Sequence, residues 1–400
     1  MKKFASTIII FILVLCNIHA EELFPDTNLR IKERSFEIGY NLNIVLSNNL
    51  ITAQNFLQER MVLDFDNLGG SLNIHTGMSY TPFFINIRTE KGGGWGLSLN
   101  TNVFGSFALS EKIFTFSEAD GEKSDSGFAV FTDVSMDFIF KIEYFKIKIK
   151  PSVFLPVMYT RPEIVYTFDT TGESNLSLEY DAQIYTALKI DDIDNIKLGL
   201  NSFTTVPGVD FSISVEYPLS RAIGIFKKFA LFDFDVGIDL LNIPLNPSTM
   251  NHYIRMTGNI TLEGDKIESF LKPDISKDFS YGEDKKKVFR PFRTILWADW
   301  RLFGNHLFTI SPHFGFSINL LYIEPFSPEY GLQLKLDLAN IFAISLGTRY
   351  EDRFWKTGTN ILLNLEIVEF NIGAAVSSKE FLDVPSIGGV GIYIGLKIGL

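Results

Sequence analysis

From Gly389 to Leu400 the chain alternates without a break. Val390, Ile392, Ile394, Leu396, Ile398 and Leu400 fall on one side, with glycines, Tyr393 and Lys397 on the other. Successive side chains of a strand point to opposite faces, so this segment has one wholly apolar face and one small or polar face. A soluble fold would set the apolar face on a core. A membrane barrel would turn it to lipid and give the other face to a polar lumen. The closing strands of such barrels usually end on an aromatic residue, and Leu400 stands in that place here.

The opposite end of the chain sets the compartment. Lys2 and Lys3, the apolar stretch Ile8 to Cys16, and Ala20 before Glu21 predict a signal peptide over residues 1–20. That stretch is too short and wrongly flanked for a spanning helix. Cys16 is the only cysteine, so cleavage after Ala20 leaves neither a disulfide nor thiol chemistry. The rival reading makes Cys16 the lipid-bearing residue of a lipoprotein. Such signals favour a small residue just before the cysteine, where this chain has Leu15.

After the signal, residues 21–400 show no Pro/Ser-rich linker, no long like-charge block and no shift in composition. The 38 Phe and 14 Tyr exceed the needs of one soluble core, yet 21% of residues are charged. No apolar run is long enough for a membrane helix. Apolar residues placed at every second position are how a barrel hides its span from a hydropathy scan. A net charge of −11 argues against nucleic acid as a partner, because binding it needs concentrated Lys and Arg.

The alternation recurs along the chain. It is clear in Phe36 to Leu46, Trp95 to Leu99, Phe145 to Ile149, Leu176 to Ile184, Val209 to Tyr217 and Phe232 to Leu240. It returns in Phe308 to Ile318, Leu332 to Leu338 and Ile361 to Ile367. Turn-rich pieces such as Gly92-Gly93-Gly94, Thr171-Gly172-Glu173 and Asn246-Pro247-Ser248 lie between. The pattern predicts an all-β chain, a transmembrane antiparallel β-barrel of about 14 strands, within a range of roughly 14 to 18. A large soluble β-sandwich would also alternate. Two features favour the barrel. Tyr40, Trp95, Tyr159, Tyr217, Trp297, Trp300, Tyr350 and Trp355 near strand ends suggest aromatic girdles. Tight joins at Ala339-Asn340 and Val368-Glu369 contrast with long polar connections at Ser110–Gly127 and Glu263–Arg290.

One segment departs from the pattern. Between Ser47 and Leu68, Leu50, Ala53, Leu57 and Met61 approach helical spacing behind Ser47, Asn48 and Asn49 as caps. Residues 47–68 are expected to form a short helix on the rim or a plug in the lumen.

The stretch Lys150-Pro151-Ser152-Val153-Phe154-Leu155-Pro156-Val157-Met158-Tyr159, with the signal, strand layout and terminal strand, resembles the FadL-like outer-membrane proteins of spirochaetes. These are distant relatives of the transporters that admit long-chain fatty acids. The resemblance implies a 14-stranded barrel with a hatch and transport of hydrophobic or amphipathic small molecules across the outer membrane of a diderm bacterium. It also implies outer-membrane lipid and the barrel assembly machinery as partners, and no cofactor. The Asn-Pro-Ala signature of the well-known transporters is absent.

Candidate chemistry is sparse. His75, His252, His306 and His313 show neither metal-ligand spacing nor a local pattern with Ser and an acidic partner, and no enzyme activity is expected. The polar row on the family-like strand is more suggestive. If Phe145, Ile147, Ile149, Val153, Leu155 and Val157 face lipid, then Lys146, Lys148, Lys150, Phe154 and Met158 face the lumen. Such a face is cationic at one end and apolar at the other, which suits an amphipathic carboxylate. The competing reading has Asp233, Asp235 and Asp239 neutralise those lysines across the lumen. Two other functions stay open: a general diffusion porin, or a non-transport barrel acting in adhesion or assembly.

Overall fold

A computed structural model describes residues 34–49, 71–89, 92–110, 126–169, 175–189, 203–219, 233–263, 274–302, 307–322, 325–338, 341–351, 353–381 and 387–400. The expected signal peptide (1–20) lies outside the described residues, as does the expected plug beyond Asn49. Ser47 and Asn48 are not helix caps. They are the last two residues of the first strand, whose alternation simply runs on.

The described strands are β1 (Phe36–Asn48), β2 (Ser71–Arg88), β3 (Gly94–Ser110), β4 (Gly127–Ile142), β5 (Phe145–Thr160), β6 (Glu163–Asp169), β7 (Asn175–Thr186), β8 (Gly208–Tyr217) and β9 (Asp233–Asn246). They continue as β10 (Ser248–Glu263), β11 (Asp274–Val288), β12 (Phe292–Arg301), β13 (Phe308–Ile318), β14 (Phe326–Leu338), β15 (Phe342–Glu351), β16 (Phe354–Leu365), β17 (Val368–Ser378) and β18 (Ile387–Gly399). Fourteen of them close an antiparallel wall in the circular order β1 to β5, β8, β9, β12 to β18. The seam is the β1–β18 ladder, which runs from Glu37 opposite Gly399 to Ser47 opposite Gly389. Closure satisfies every edge of the wall, which hydrocarbon surroundings demand.

Both ends of the described chain meet at one rim, here the lower one: Phe36 and Leu400 exchange backbone hydrogen bonds of 3.1 and 3.0 Å. Two tight turns at this rim use a left-handed residue, Glu143 (φ 53°) and Glu366 (φ 60°). The join expected at Val368-Glu369 therefore falls two residues earlier, and Val368 already pairs with Ile398.

Parity divides the wall as the alternation requires. Outward residues such as Leu97, Val134, Val153, Leu296, Leu332 and Ile392 are exposed. Inward positions hold Asn43, Asp133, Ser152, Gln333, Asn360 and Lys397, all buried. Outer aromatics collect near both rims. Tyr330, Tyr350, Trp355 and Phe381 cluster at the upper rim, with ring separations of 4.6 to 5.4 Å. Phe145 with Tyr217 and Phe234 with Trp300 lie low, at 4.7 and 5.4 Å. Two expected girdle residues are instead inside. Trp297 lies flat over Gly237, where a Cβ would come within 2.3 Å of its ring. Tyr159 is buried in the lumen because of a β-bulge described below.

The remaining four strands form an extension above the wall. The β6–β7 hairpin lies in the connection from β5 to β8, and the β10–β11 hairpin in that from β9 to β12. The hairpins pair through β7 and β10, from His252 opposite Thr186 to Glu263 opposite Asn175. The supposed loop Glu263–Arg290 is thus largely strand β11, and Leu176 to Ile184 is a strand outside the barrel.

Candidate functional site

Two segments fold from the upper rim into the lumen. The first is Phe289-Arg290-Pro291, between β11 and β12; Pro291 has no N–H to extend a ladder, so the chain is released inward. Arg290 donates from Nη1 to Asp133 of β4 (2.5 Å) and from Nε to Asp210 of β8 (2.7 Å). Since β5, β8 and β9 separate β4 from β12 in the wall, this guanidinium bridges the lumen. It also lies 5.3 Å from the ring of Phe154. Asp133 accepts a further bond from Asn100 at 2.9 Å, so the buried charges are paired and hydrogen-bonded.

The second segment is Asn319-Leu320-Leu321-Tyr322, between β13 and β14. The Tyr322 N–H donates to the Asn319 carbonyl at 3.2 Å and the Leu321 N–H to the Asn319 side chain at 3.1 Å. The turn drives Leu321 across the lumen onto Gly127 of β4, where a Cβ would sit 2.5 Å from the leucine Cγ. Only a glycine allows that approach. Tyr322 reaches on to the His75 ring, 6.3 Å away.

Against the β3–β5 side these segments close an apolar chamber. Ala129, Phe131, Phe154, Tyr159, Val288 and Leu321 are buried in it, with Phe104 and Tyr322 packed against them. Phe131 meets Phe104 and Phe154 edge to face at 5.8 and 6.1 Å. At its upper margin the Lys286 ammonium sits 5.7 Å from the Tyr159 ring and 5.9 Å from that of Tyr185. A cavity of about 30 Å³ lies between Phe131, Tyr159, Phe289 and Leu321. A second, of about 40 Å³, lies between Phe104, His75, Tyr322, Glu351 and Lys356. Each has room for about one water molecule.

The facing β12–β16 side is ionic. Arg293 pairs with Glu329 (2.6 Å) and Glu351 (3.2 Å), and Glu351 also receives Arg349 and Lys356. Lower in the lumen, Arg301 pairs with Asp233 and Asp235, and Lys397 with Glu369 at 3.2 Å.

The lysine row lies on the lumen side as parity required, below the chamber. Lys146 pairs with Glu216 (3.7 Å) and Lys148 with Asp137 (3.1 Å). Their ion-pair partners come from β4 and β8; of the three expected aspartates, Asp233 and Asp235 belong to Arg301, and Asp239 alone lies within electrostatic reach of Lys148. Phe154 lines the chamber. Met158 does not. A bulge leaves Val157 without a partner on β4, so Met158 pairs with Val130 and Tyr159 with Ala129. The extra residue reverses parity. Tyr159 takes the inward place assigned to Met158, which turns outward. His75 lies 3.5 Å from the Ser106 hydroxyl and His252 lies 3.6 Å from Glu283, while His306 is outside the described residues.

Arg290, the centre of the site, escaped the sequence reading because its partners lie 157 and 80 residues away. The local sign was Phe289-Arg290-Pro291-Phe292-Arg293, two cations and a proline amid aromatics.

A closed antiparallel wall with an apolar exterior, a polar interior and in-folded upper segments defines a transmembrane β-barrel of the outer-membrane type. No protein-family model matches the sequence, and no curated protein matches it. Among solved structures, the P. putida toluene transporter TodX superposes with a TM-score of 0.53 at 7% identity, covering 94% of this chain and 93% of that one. A TodX deletion mutant, described as a monoaromatic hydrocarbon channel, gives 0.50 at 8% identity over 92% and 91%. A Pseudomonas aeruginosa FadL homologue gives 0.45 at 8% identity over 95% of each chain. The expected resemblance to FadL-like barrels is met at the level of the fold.

Proposed function

We propose that this barrel takes up hydrophobic or amphipathic small molecules at its upper mouth, holds them in the β3–β5 chamber and passes them across the outer membrane. The observation that carries this reading is an aromatic chamber built inside an otherwise polar lumen. A channel for ions or sugars needs an open, water-filled passage and gains nothing from such a lining. The two cavities are too small for a substrate, so entry requires Phe289–Pro291 and Asn319–Tyr322 to part.

A long-chain fatty acid would lay its tail on Phe131, Phe154 and Tyr159 and point its carboxylate at Lys150, Lys148 and Lys146 below. It would have to compete there with Asp137 and Glu216, whereas a neutral hydrocarbon of the kind named for TodX needs only the chamber. Met158 has no part in either.

Binding of a fluorescent fatty acid to the protein in detergent, competed by toluene and by a neutral sugar, tests the reading. Phe131→Ala and Phe154→Ala should each weaken binding about tenfold, the equivalent of roughly 1.4 kcal/mol. Lys148→Glu should weaken the fatty acid and spare toluene. No binding by the wild-type protein, or equal binding by both chamber variants, would return the barrel to the porin or adhesion reading.

A further inference from the structure

The lysines Lys285-Lys286-Lys287 stand at the end of β11, just before the chain folds into the lumen. Alternation turns only the middle one inward. Its register partner Met250 and, two residues on, Val288 are both buried in the chamber cluster, whereas Lys285 and Lys287 are exposed. The 30 Å³ cavity of the chamber is lined by Lys287, Val288 and Tyr159, so Lys286 stands at its mouth.

Lys286 is half-buried, and its ammonium lies over two phenol rings, at 5.7 Å from that of Tyr159 and 5.9 Å from that of Tyr185. Among the described residues it forms neither a hydrogen bond nor an ion pair. In this it differs from Arg290, Arg293, Arg301, Lys146, Lys148 and Lys397, each of which meets a carboxylate. The acid two residues before it is engaged elsewhere: Asp284 accepts from the Tyr185 hydroxyl at 3.3 Å and from the Lys285 N–H at 2.7 Å. Asp181, higher on the same inner face, is held by Arg255. A second cation, the exposed Arg161, lies within electrostatic reach of Tyr159. An ammonium resting on aromatic faces is held in place, yet its three N–H donors remain available to an anion.

We propose that Lys286, seated on Tyr159 and Tyr185, is an entry site that receives the carboxylate of an amphipathic molecule before its chain fills the chamber. This rests on the chamber reading and adds an order of events to it. The head arrives first at Lys286, crosses the chamber and ends at the lysine row beneath. An anion must take Lys146 and Lys148 from Glu216 and Asp137, but at Lys286 it displaces only a cation–π contact. A neutral hydrocarbon has no use for the ammonium, so the site selects by charge on arrival.

Rapid-mixing fluorescence follows a fluorescent fatty acid entering the protein in non-ionic detergent. Toluene and a fatty alcohol of matched length are measured by competition, and heat-modifiable migration confirms that each variant is folded. Lys286→Gln should slow association of the acid about fivefold, the loss of one steering charge. Lys286→Arg should keep the wild-type rate, and high salt should erase the difference between the two. Toluene and the alcohol should bind all three proteins alike. Equal weakening of acid and alcohol by Lys286→Gln would reduce the lysine to packing and overturn the proposal. An unchanged acid in Lys286→Gln, with Phe131→Ala still weakening it, would also overturn the proposal and leave the chamber standing. Wild-type protein that binds neither acid nor toluene would overturn the chamber reading, and the entry site with it.

Discussion

Arg290 joins two carboxylates that would otherwise face each other beside an aromatic chamber. Removing one partner of a buried ion cluster leaves uncompensated charge and costs about 3–5 kcal/mol. Arg290→Ala should therefore lower the temperature at which the folded gel band is lost. Adding Asp133→Asn and Asp210→Asn should recover most of that loss, because no buried charge then remains unpaired. A triple variant no more stable than the single one would mean that the Phe154 contact, not the charge, is what matters. At this scale the sequence was legible only where parity was unbroken. Lys146, Lys148 and Phe154 fell on the lumen side as counted. Met158 failed by a single residue, since a bulge is invisible to alternation and one inserted position reverses every face beyond it. Ion pairs were harder still: Asp233 and Asp235 chose Arg301, a neighbour that only the closed wall supplies.

At the scale of elements, the terminal strand does what its pattern required. Val390, Ile392 and Ile398 are exposed on the outside, while Tyr393 and Lys397 are buried on the inside. Ile394→Asp should cost about 2 kcal/mol at mid-membrane depth and reduce the yield of inserted barrel. Tyr393→Phe, on the lumen face, should leave that yield unchanged, and equal yields from both would mean the faces are reversed. Strands were the easiest elements to read, yet alternation alone could not tell a wall strand from an extension strand. Leu176 to Ile184 has the pattern of the wall and stands above it. Glu263 to Arg290 looked like a loop because Asp278, Glu283, Asp284 and Lys285 to Lys287 mask the alternation of β11. A strand that need not cross a bilayer can carry such charges.

For the whole molecule, strand number followed from closure rather than from counting alternating segments. The described residues hold 18 strands but the wall has 14, the lower bound of the expected range, because four strands leave the circle. The upper lumen is crossed by two segments that fold in from the upper rim, so the resting barrel should conduct poorly. Planar-bilayer recordings should show small, infrequent openings in the wild type. Arg290→Ala should open more often, and a large steady conductance in the wild type would contradict the closed upper lumen. Nothing in the sequence announced that closure. Leu321 and Gly127 meet across the barrel, and neither residue type is unusual where it stands.

The seam carries a consequence for assembly. The ladder that joins Glu37 to Gly399 ties together the first and last described strands, so the contact separated by most chain is also the one that completes the circle. Contacts this distant form late, because the intervening loop must be ordered first. Until they form, β1 and β18 each present an open row of backbone donors and acceptors, which lipid cannot satisfy. A ribosome-bound or truncated chain lacking β18 therefore has no stable half-way state in the bilayer. Insertion becomes an all-or-nothing event, and something must guard both edges until they meet.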